Sequence, residues 1–320
     1  MFDRLSSLPS APLAAYPTPV EDLDRLRATL GVTQRLLVKR DDTIGFAFGG
    51  NKVRKMRFVS ADAQRAGADT LITAGGLQSN HARVTAAAAA TLGMHAILIV
   101  NGKRQRHRTG NALLDDLLGA EVRYVGGREH RGPAMEAAAE EVRAKGGRPY
   151  VIPIGASNAL GAAAFALAIA ELLGQIDPPD IIVHSTSSGG TQAGLIAGCA
   201  LADVRTRVLG ISADEPAASL EGDIRRILAG LGALLDFDAA QFEEAPVEID
   251  DHFVGRGYGV PTTASREAIS LLARTEALFL DPTYTAKAMA GLLDHLRKSR
   301  FPAEATILFW HTGGQVGLFA

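Results

Sequence analysis

The alternation of short apolar runs with alanine- and leucine-rich runs constrains the fold of this chain more than any other feature of its sequence. Seven runs have the length and composition of strands, at residues 70–74, 96–100, 121–125, 150–154, 180–185, 207–212 and 306–310. Eight runs have helical patterns, at residues 51–66, 81–92, 111–118, 133–145, 159–173, 192–201, 262–273 and 284–298. Nearly continuous apolar strands between helices indicate parallel sheets that are buried on both faces. We therefore predict an α/β fold.

Composition allows such a core and excludes some classes of function. The chain has 320 residues, of which 47% are hydrophobic, enough for two domains of ordinary size. Its net charge of −2 excludes a generally basic nucleic-acid-binding protein. No signal peptide is visible, the apolar stretch 156–176 is broken by polar residues, and the single cysteine, Cys199, allows no internal disulfide. We expect a cytoplasmic protein with no membrane or nucleic-acid partner, and the histidine spacing predicts no metal site.

Loops at the carboxyl ends of parallel strands are the places to search for a site, because ligands of such folds bind there. One of these loops contains Ser79, Asn80 and His81, immediately before a predicted helix. Free N–H groups and the positive dipole end at a helix start suit a carboxylate or phosphate, and these side chains offer further donors. Ser79 or Asn80 is explained equally well as a simple helix cap.

A second loop combines consecutive glycines with hydroxyl side chains and predicts a small phosphate-binding cup. It consists of Ser187, Ser188, Gly189, Gly190 and Thr191, after an apolar strand and before a helix. Consecutive glycines allow several N–H groups to point at one anion. The loop is neither a Walker A motif nor the Gly-x-Gly-x-x-Gly motif of dinucleotide-binding folds.

Two lysines follow a pair of glycines in the stretch Gly49-Gly50-Asn51-Lys52-Val53-Arg54-Lys55. A lysine beside small residues can stay unprotonated near a carbonyl carbon, which a Schiff base to pyridoxal phosphate requires. Lys55, one turn after Lys52, could meet the phosphate of the same cofactor. Taken alone, lysines at this spacing usually lie on a solvated helix face.

Two further loops carry hydroxyl and phenol side chains. Thr312 precedes two glycines at the end of an apolar strand. Tyr284 and Thr285 lie at a predicted helix start, and Tyr258 lies between two glycines. Each of these loops also has an ordinary structural explanation as a glycine turn or a helix start.

Together these motifs resemble one family. The matching pieces are Lys39–Asp42, Gly49–Lys55, Gln78–Arg83, Thr109–Asn111, Ser188–Gly194, Asp281–Tyr284 and His311–Gly314. They resemble the pyridoxal-phosphate enzymes of the tryptophan-synthase-β fold (fold type II), in the branch containing D-cysteine desulfhydrase and 1-aminocyclopropane-1-carboxylate deaminase. The resemblance implies a homodimer. It also implies a larger domain (residues 1–50 and 160–320) and a smaller one (residues 51–159).

The resemblance also implies roles for individual residues. Lys52 would carry the cofactor covalently, and Asn80 would contact its phenolic oxygen. The phosphate would be held by Lys55, Ser187, Ser188, Gly189, Gly190 and Thr191. The substrate carboxylate would be bound by Ser79, Asn80 and His81. Tyr258 and Tyr284 would flank the substrate.

Thr285 and Thr312 discriminate within the branch. The deaminase pattern has glutamate and leucine at these two positions, so the threonines resemble the desulfhydrase pattern. A carboxylate would keep the pyridine nitrogen of the cofactor protonated, which helps the harder opening of a cyclopropane ring. A hydroxyl leaves it largely neutral, which is adequate for β-elimination. Two positions depart from the family pattern, Val84 in place of glutamine and Ala156 in place of glycine.

The expected reaction is the β-elimination of D-cysteine to pyruvate, hydrogen sulfide and ammonia. Lys52 is the simplest base for the α-proton, and Tyr258 or Tyr284 is the alternative for a D-substrate. L-Cysteate sulfo-lyase and 1-aminocyclopropane-1-carboxylate deaminase activities stay open, as does a catalytically silent cofactor-binding protein. We interpret the basic run Lys103–Arg108 as a solvated loop.

Overall fold

The computed structural model describes residues 2–236, 242 and 244–320. Its strands are β1 Val20–Asp22, β2 Arg35–Arg40, β3 Thr70–Gly76, β4 His95–Asn101, β5 Glu121–Val125, β6 Pro149–Val151, β7 Ile181–Thr186, β8 Arg207–Ser212, β9 Glu248–Asp250 and β10 Thr306–His311. Its helices are α1 Phe2–Ser6, α2 Asp24–Leu30, α3 Asn51–Arg65, α4 Asn80–Leu92, α5 Gly110–Leu117, α6 Arg131–Ala144, α7 Ala159–Leu173, α8 Gly190–Leu201, α9 Ala217–Leu235, α10 Thr263–Glu276 and α11 Thr285–Arg297.

The strands form two sheets, which confirms the predicted α/β class. The six-stranded sheet has the order β1-β2-β10-β7-β8-β9, in which only β1 runs antiparallel to its neighbour. The four-stranded sheet has the order β5-β4-β3-β6 and is parallel throughout. Helices cover both sheets, so β3 and β7 are buried along their whole length. This burial explains their continuous apolar sequences.

The sequence analysis missed one central strand, β2, which pairs with β1 on one side and β10 on the other. Its sequence, Arg35-Leu-Leu-Val-Lys39-Arg40, begins and ends with basic residues. The Lys39 side chain is nevertheless fully buried, because its ammonium group lies 2.6 Å from a carboxylate oxygen of Glu171 in α7. Helix α9, 19 residues long, was also missed. A buried ion pair conceals a strand from any argument based on hydropathy.

Helix α7 is a core helix of the larger sheet's helical layer. The segment Ile154–Leu173 is long and apolar enough to cross a membrane by length and composition, and 56% of its most apolar window is buried inside the structure. Alanine and glycine dominate where α7 meets α8. A Cβ atom added to Gly194 would lie 2.3 Å from the carbonyl oxygen of Ala162 and 2.5 Å from the side chain of Phe165. These small residues therefore allow the close approach of the two helices.

The four-stranded sheet falls within residues 70–151, and the six-stranded sheet comes from residues before 41 and after 180. Helix α3, which begins one residue before Lys52, connects the two by packing on both α7 and α4. The domain limits at residues 50 and 160 stay a prediction.

Candidate active site

Two connected depressions lie where the carboxyl ends of β3, β7 and β10 approach one another. The inner cavity is lined by Asn51, Lys52, Asn80, residues 185–189, Thr191, Tyr284, Thr312 and Gly313. The outer cleft has a volume of about 610 Å³, and its lining includes Gly76, Ser79, His81, Arg128, Arg131, Asp214 and Tyr258. Lys52 and Tyr284 line both. A ligand held in the inner cavity would therefore lie beside Lys52, which the outer cleft also reaches.

Lys52 is placed by two glycines at positions that other residues could occupy only with strain. Gly49 and Gly50 have φ angles of 66° and 98°, in the left-handed region. A Cβ atom on Gly50 would lie 2.8 Å from the carbonyl oxygen of Thr312, so the loop can lie directly against the end of β10. Burial lowers the pKa of the Lys52 ammonium group to about 8. Lys52 is thus available as a nucleophile or a base near neutral pH.

The first turn of α8 forms a cup with unused hydrogen-bond donors. Gly189, at a φ of 74°, caps the helix, and a Cβ atom on Gly190 would lie 2.7 Å from the Ser157 hydroxyl and 2.9 Å from the Lys55 ammonium. The buried hydroxyls of Ser185 and Thr186 have no hydrogen-bond partner among the described residues. Free N–H groups at a helix start, unpartnered hydroxyls and a nearby ammonium suit a phosphate group.

Lys55 lies behind this cup and does not line the cavity itself. Its ammonium group donates to the carbonyl oxygen of Gly155 at 3.1 Å. Burial, and then the charge of Lys52, hold the pKa of Lys55 well below its usual range. In the described part of the chain no carboxylate lies within 4.0 Å of either ammonium group. The site therefore has positive charge without a counter-charge, and an anion would supply it.

The structure brings Ser79, Asn80 and His81 to the site but divides them between its two halves. Ser79 caps α4, since its hydroxyl oxygen accepts a hydrogen bond from the N–H of Ala82 at 3.2 Å. Ser79 and His81 line the outer cleft, whereas Asn80 lines the inner cavity. The His81 Nε2 lies 2.8 Å from the Thr73 hydroxyl, and Nδ1 has no partner among the described residues. Burial, followed by the charges of Lys52 and Lys55, lowers the pKa of His81, so its ring is neutral.

Tyr258 and Tyr284 form a pair in the lining of the outer cleft. Their hydroxyl oxygens lie 2.5 Å apart, and their rings meet edge to face with centroids 5.7 Å apart. Burial raises the pKa of both phenols, and the neighbouring Tyr258 raises that of Tyr284 further. Both are therefore neutral at physiological pH and able to donate or relay a proton.

Thr312 and Thr285, which the sequence analysis treated together, lie in different surroundings. Thr312 lines the inner cavity. Thr285 does not line either depression, because its hydroxyl donates to a carboxylate oxygen of Asp281 at 2.7 Å and accepts from the Asp281 N–H at 2.8 Å. The hydroxyl of Thr285 is thus occupied within the turn that begins α11. None of the described residues that line the inner cavity is a carboxylate.

The sequence analysis missed two arginines of the outer cleft. Arg128 lies 3.0 Å from Asp214 and 3.1 Å from Glu215, and its guanidinium covers the Tyr258 ring at 5.1 Å. Arg131 is 8% exposed and donates from Nε to the amide oxygen of Asn101 at 3.0 Å. Both follow β5, so the search of strand ends, if applied to that loop as well, would have found them.

Comparison with known proteins decides the family. The family model described as "Pyridoxal-phosphate dependent enzyme" matches residues 12–313. The chain belongs to this family. The resemblance stated from the motifs is thereby confirmed, as is the cofactor class. The chemistry of the site also fits pyridoxal phosphate, because unpartnered hydroxyls and a helix start suit its phosphate and Lys52, an amine, lines the same cavity.

Individual relatives narrow the comparison. The chain is 40% identical to a D-cysteine desulfhydrase of Klebsiella pneumoniae (strain 342), over 100% of this chain and 98% of that protein. Among solved structures, an "ACC deaminase homologue" is 34% identical with a TM-score of 0.89, and the match covers 99% of this chain and 95% of that one. A threonine deaminase from T.th., 24% identical with a TM-score of 0.70 over 98% of this chain and 97% of that one, shares the fold. This confirms fold type II for the pyridoxal-phosphate enzyme described here.

Proposed function

We propose that this enzyme is a D-cysteine desulfhydrase, which eliminates sulfide from the β-carbon of D-cysteine and yields pyruvate and ammonia. One observation carries the proposal: the inner cavity is lined by Thr312 and by no carboxylate among its described residues. A hydroxyl leaves the ring nitrogen of the cofactor largely neutral, which is adequate when a leaving group accepts the electrons. The name of the 40% identical relative supports the same activity.

The residues that would hold the cofactor follow from the cavity lining. We assign the covalent attachment to Lys52, the phosphate to Ser187–Thr191 with the charge of Lys55 behind it, and the phenolic oxygen to Asn80. Thr312 remains our choice for the ring nitrogen, and Thr285 supports this part of the cavity only through Asp281. When bound, the cofactor supplies an electron sink that stabilises negative charge at the α-carbon of the substrate.

Proton transfer is the task of Lys52 and the tyrosine pair. With a pKa near 8, Lys52 can be a base for the α-proton once the substrate amine has displaced it. The phenols stay protonated, so Tyr284, supported by Tyr258, is suited to protonate the departing sulfur. For a D-substrate the tyrosines remain the alternative route for the α-proton. Ser79 and His81 would bind the substrate carboxylate from the outer cleft.

A substrate panel tests the activity. The purified holoenzyme is given D- and L-cysteine, D- and L-cysteate, β-chloro-D-alanine and 1-aminocyclopropane-1-carboxylate, and pyruvate, sulfide, sulfite and 2-oxobutanoate are measured. We expect pyruvate and sulfide in equal amounts from D-cysteine. Release of 2-oxobutanoate from the cyclopropane compound alone would contradict the proposal. Tyr284→Phe should lower kcat by roughly 10²-fold or more, because general acid–base catalysis has about that value.

Elimination of sulfite from cysteate is the second candidate, and Arg131 favours it. Among the described residues no carboxylate lies within ion-pair distance of this buried guanidinium, which shares the outer cleft with Lys52. An uncompensated buried cation would bind a sulfonate well. In that reaction the C–S bond electrons leave with sulfur as sulfite, and water completes the release of pyruvate and ammonia.

Arg131→Gln separates the two candidates. If cysteate is the substrate, this change should lower kcat/KM for cysteate at least tenfold and affect cysteine much less. Arg128→Gln is the matched control, because Arg128 already has two carboxylate partners. Equal effects of Arg131→Gln on both substrates would remove the argument for a sulfonate.

We also propose that the enzyme is a cytoplasmic homodimer. Support for association comes from exposed apolar side chains on α5, Leu113 and Leu117, beside the exposed Phe319 of the C-terminal turn that packs on this helix. An apolar surface of this kind favours contact with a partner. Light scattering should give twice the chain mass of 33.6 kDa. A mass equal to one chain would contradict the dimer, and cell fractionation tests the location.

A further inference from the structure

A buried polar cluster lies directly behind Asn80 and has no role so far. Arg83, one turn further along α4, is 1% exposed, and Asn111 at the start of α5 is fully buried. Arg83 Nη1 donates to the amide oxygen of Asn80 at 3.0 Å and to that of Asn111 at 2.8 Å. Asn111 Nδ2 donates to the same Asn80 oxygen at 2.9 Å.

This arrangement decides which way the Asn80 amide faces. A guanidinium has donors only, so the amide atom that faces Arg83 must be oxygen in both asparagines. With its oxygen held by two donors, Asn80 has only its Nδ2 hydrogens left for other partners. This nitrogen lies on the side of the β10 loop, where a Cβ atom on Gly314 would be 2.8 Å from it. Because Asn80 lines the inner cavity and its amide oxygen is already engaged, the polar group that it has left for a ligand there is a donor.

The same guanidinium is also tied to the lysine loop. Arg83 Nη2 donates to the carbonyl oxygen of Gly49 at 3.0 Å, three residues before Lys52. Gly49 is in the left-handed region, where its position depends on such contacts. One buried side chain thus relates the position of Asn80 to that of the Lys52 loop. Asp115, buried on α5, lies near enough to act on the charge of Arg83.

We propose that Arg83 is a positioning residue that, with Asn111, locks Asn80 as a hydrogen-bond donor toward an anionic ring oxygen of the ligand in the inner cavity. The inference rests on the proposed function in one respect, since it takes that ligand to be pyridoxal phosphate with its phenolate oxygen facing Asn80. A phenolate that loses this donor retains the neighbouring proton more firmly, so the pKa of the bound cofactor rises. The cofactor is also held less tightly.

A double-mutant cycle on cofactor binding tests this inference. The variants are Asn80→Ala, Arg83→Met and the double variant, and the readouts are the dissociation constant of pyridoxal phosphate and the absorbance-monitored pKa of the bound cofactor. Each single variant should weaken binding roughly tenfold to a hundredfold and raise that pKa, because a charge-assisted hydrogen bond is lost. The double variant should lose much less affinity than the sum of the two single losses, because Asn80→Ala already removes the donor that Arg83 positions, and any remaining loss comes from the contact of Arg83 with Gly49. Additive losses in the cycle would overturn the proposal.

Two further variants separate a loss of cofactor binding from a loss of folding. Thr85→Ala, a buried change on the same helix outside the cluster, controls for loss of stability and should leave both readouts unchanged. If Arg83→Met does not fold, Asn111→Ala removes one donor to Asn80 and should shift both readouts in the same direction. A folded Asn111→Ala with wild-type affinity and spectrum would overturn the proposal. These readouts need no turnover, so wrong products in the substrate panel would refute the proposed function alone.

Discussion

Two largely buried charged clusters lie close together along α3 and differ in how their charge is balanced. In the first, Arg54 donates to both carboxylate oxygens of Asp41 at 2.9 and 2.8 Å and to Glu171 at 2.8 Å, while Lys39 pairs with the other oxygen of Glu171. In the second, Lys52 and Lys55 have no carboxylate within ion-pair distance among the described residues. In the first cluster the charges compensate one another, whereas in the second an anion would have to supply the counter-charge.

Their pKa values show the same contrast. Although burial opposes it, hydrogen bonds and charge from Arg54 and Lys39 lower the pKa of Glu171 to about 2. For Lys52, burial acts alone and lowers the pKa to about 8. A buried charge with its partner stays charged, whereas one without a partner tends to give up its proton until a ligand arrives.

The largest effect is expected when the balanced cluster is broken. Arg54→Met should lower the free energy of unfolding by about 3–5 kcal/mol, because it leaves Asp41 buried without its cation and Glu171 with Lys39 alone. Urea unfolding of the apoprotein measures this. Arg35→Ala, which breaks an exposed pair with Asp22, is the control and should cost less than about 1 kcal/mol. Similar losses of unfolding free energy in the two variants would show that the buried ion pairs of Arg54 stabilise the fold no more than an exposed ion pair does.

In the cluster of Lys52 and Lys55 we expect the reverse pattern, with little change in stability and a loss of affinity for the cofactor. Lys55→Met should change the free energy of unfolding of the apoprotein by no more than about 1 kcal/mol, since it removes a cation that is poorly compensated. Affinity for pyridoxal phosphate should fall roughly tenfold to a hundredfold, as expected for loss of a charged contact. Equilibrium dialysis with the apoprotein measures the affinity. A Lys55→Met variant that is destabilised as much as Arg54→Met but binds pyridoxal phosphate with wild-type affinity would contradict this difference between the two clusters.

The smallest effect over a single pH unit is a pH dependence of the stability of the apoprotein. Because the pKa of Lys52 is about 8 in the fold and about 10.5 in the unfolded chain, the unfolded state binds more protons between these values. Stability should therefore rise with pH across this window, by up to about 1.4 kcal/mol per pH unit for this lysine. Lys52→Met should flatten the slope, and the exposed Lys145→Met should not. An unchanged slope in Lys52→Met would show that Lys52 does not lose its proton on folding.

The sequence was sufficient to locate the loops of the cavity, because their motifs consist of residues that are neighbours along the chain. The loops after β3, β7 and β10 were found from glycines and hydroxyls at strand ends, and the structure brings them to the inner cavity with Lys52. It was insufficient where a polar residue owes its place to a distant partner. Strand β2 was missed because Glu171, the partner that allows Lys39 to be buried, lies 132 residues away in the sequence. Arg83 and Asn111 form their hydrogen bond between two different helices. Thr285, adjacent to Tyr284, is turned away from the cavity by Asp281.

The sequence by itself determined the α/β class and the family, because each depends on short patterns in which neighbours along the chain are neighbours in space, and the role of Lys52 stays a prediction. Tertiary structure alone decided which charges are compensated, which amide atom faces the cavity, and which arginines line the outer cleft. Those properties depend on contacts between residues far apart in sequence, and the cost of burying a polar group is set by its partners in space.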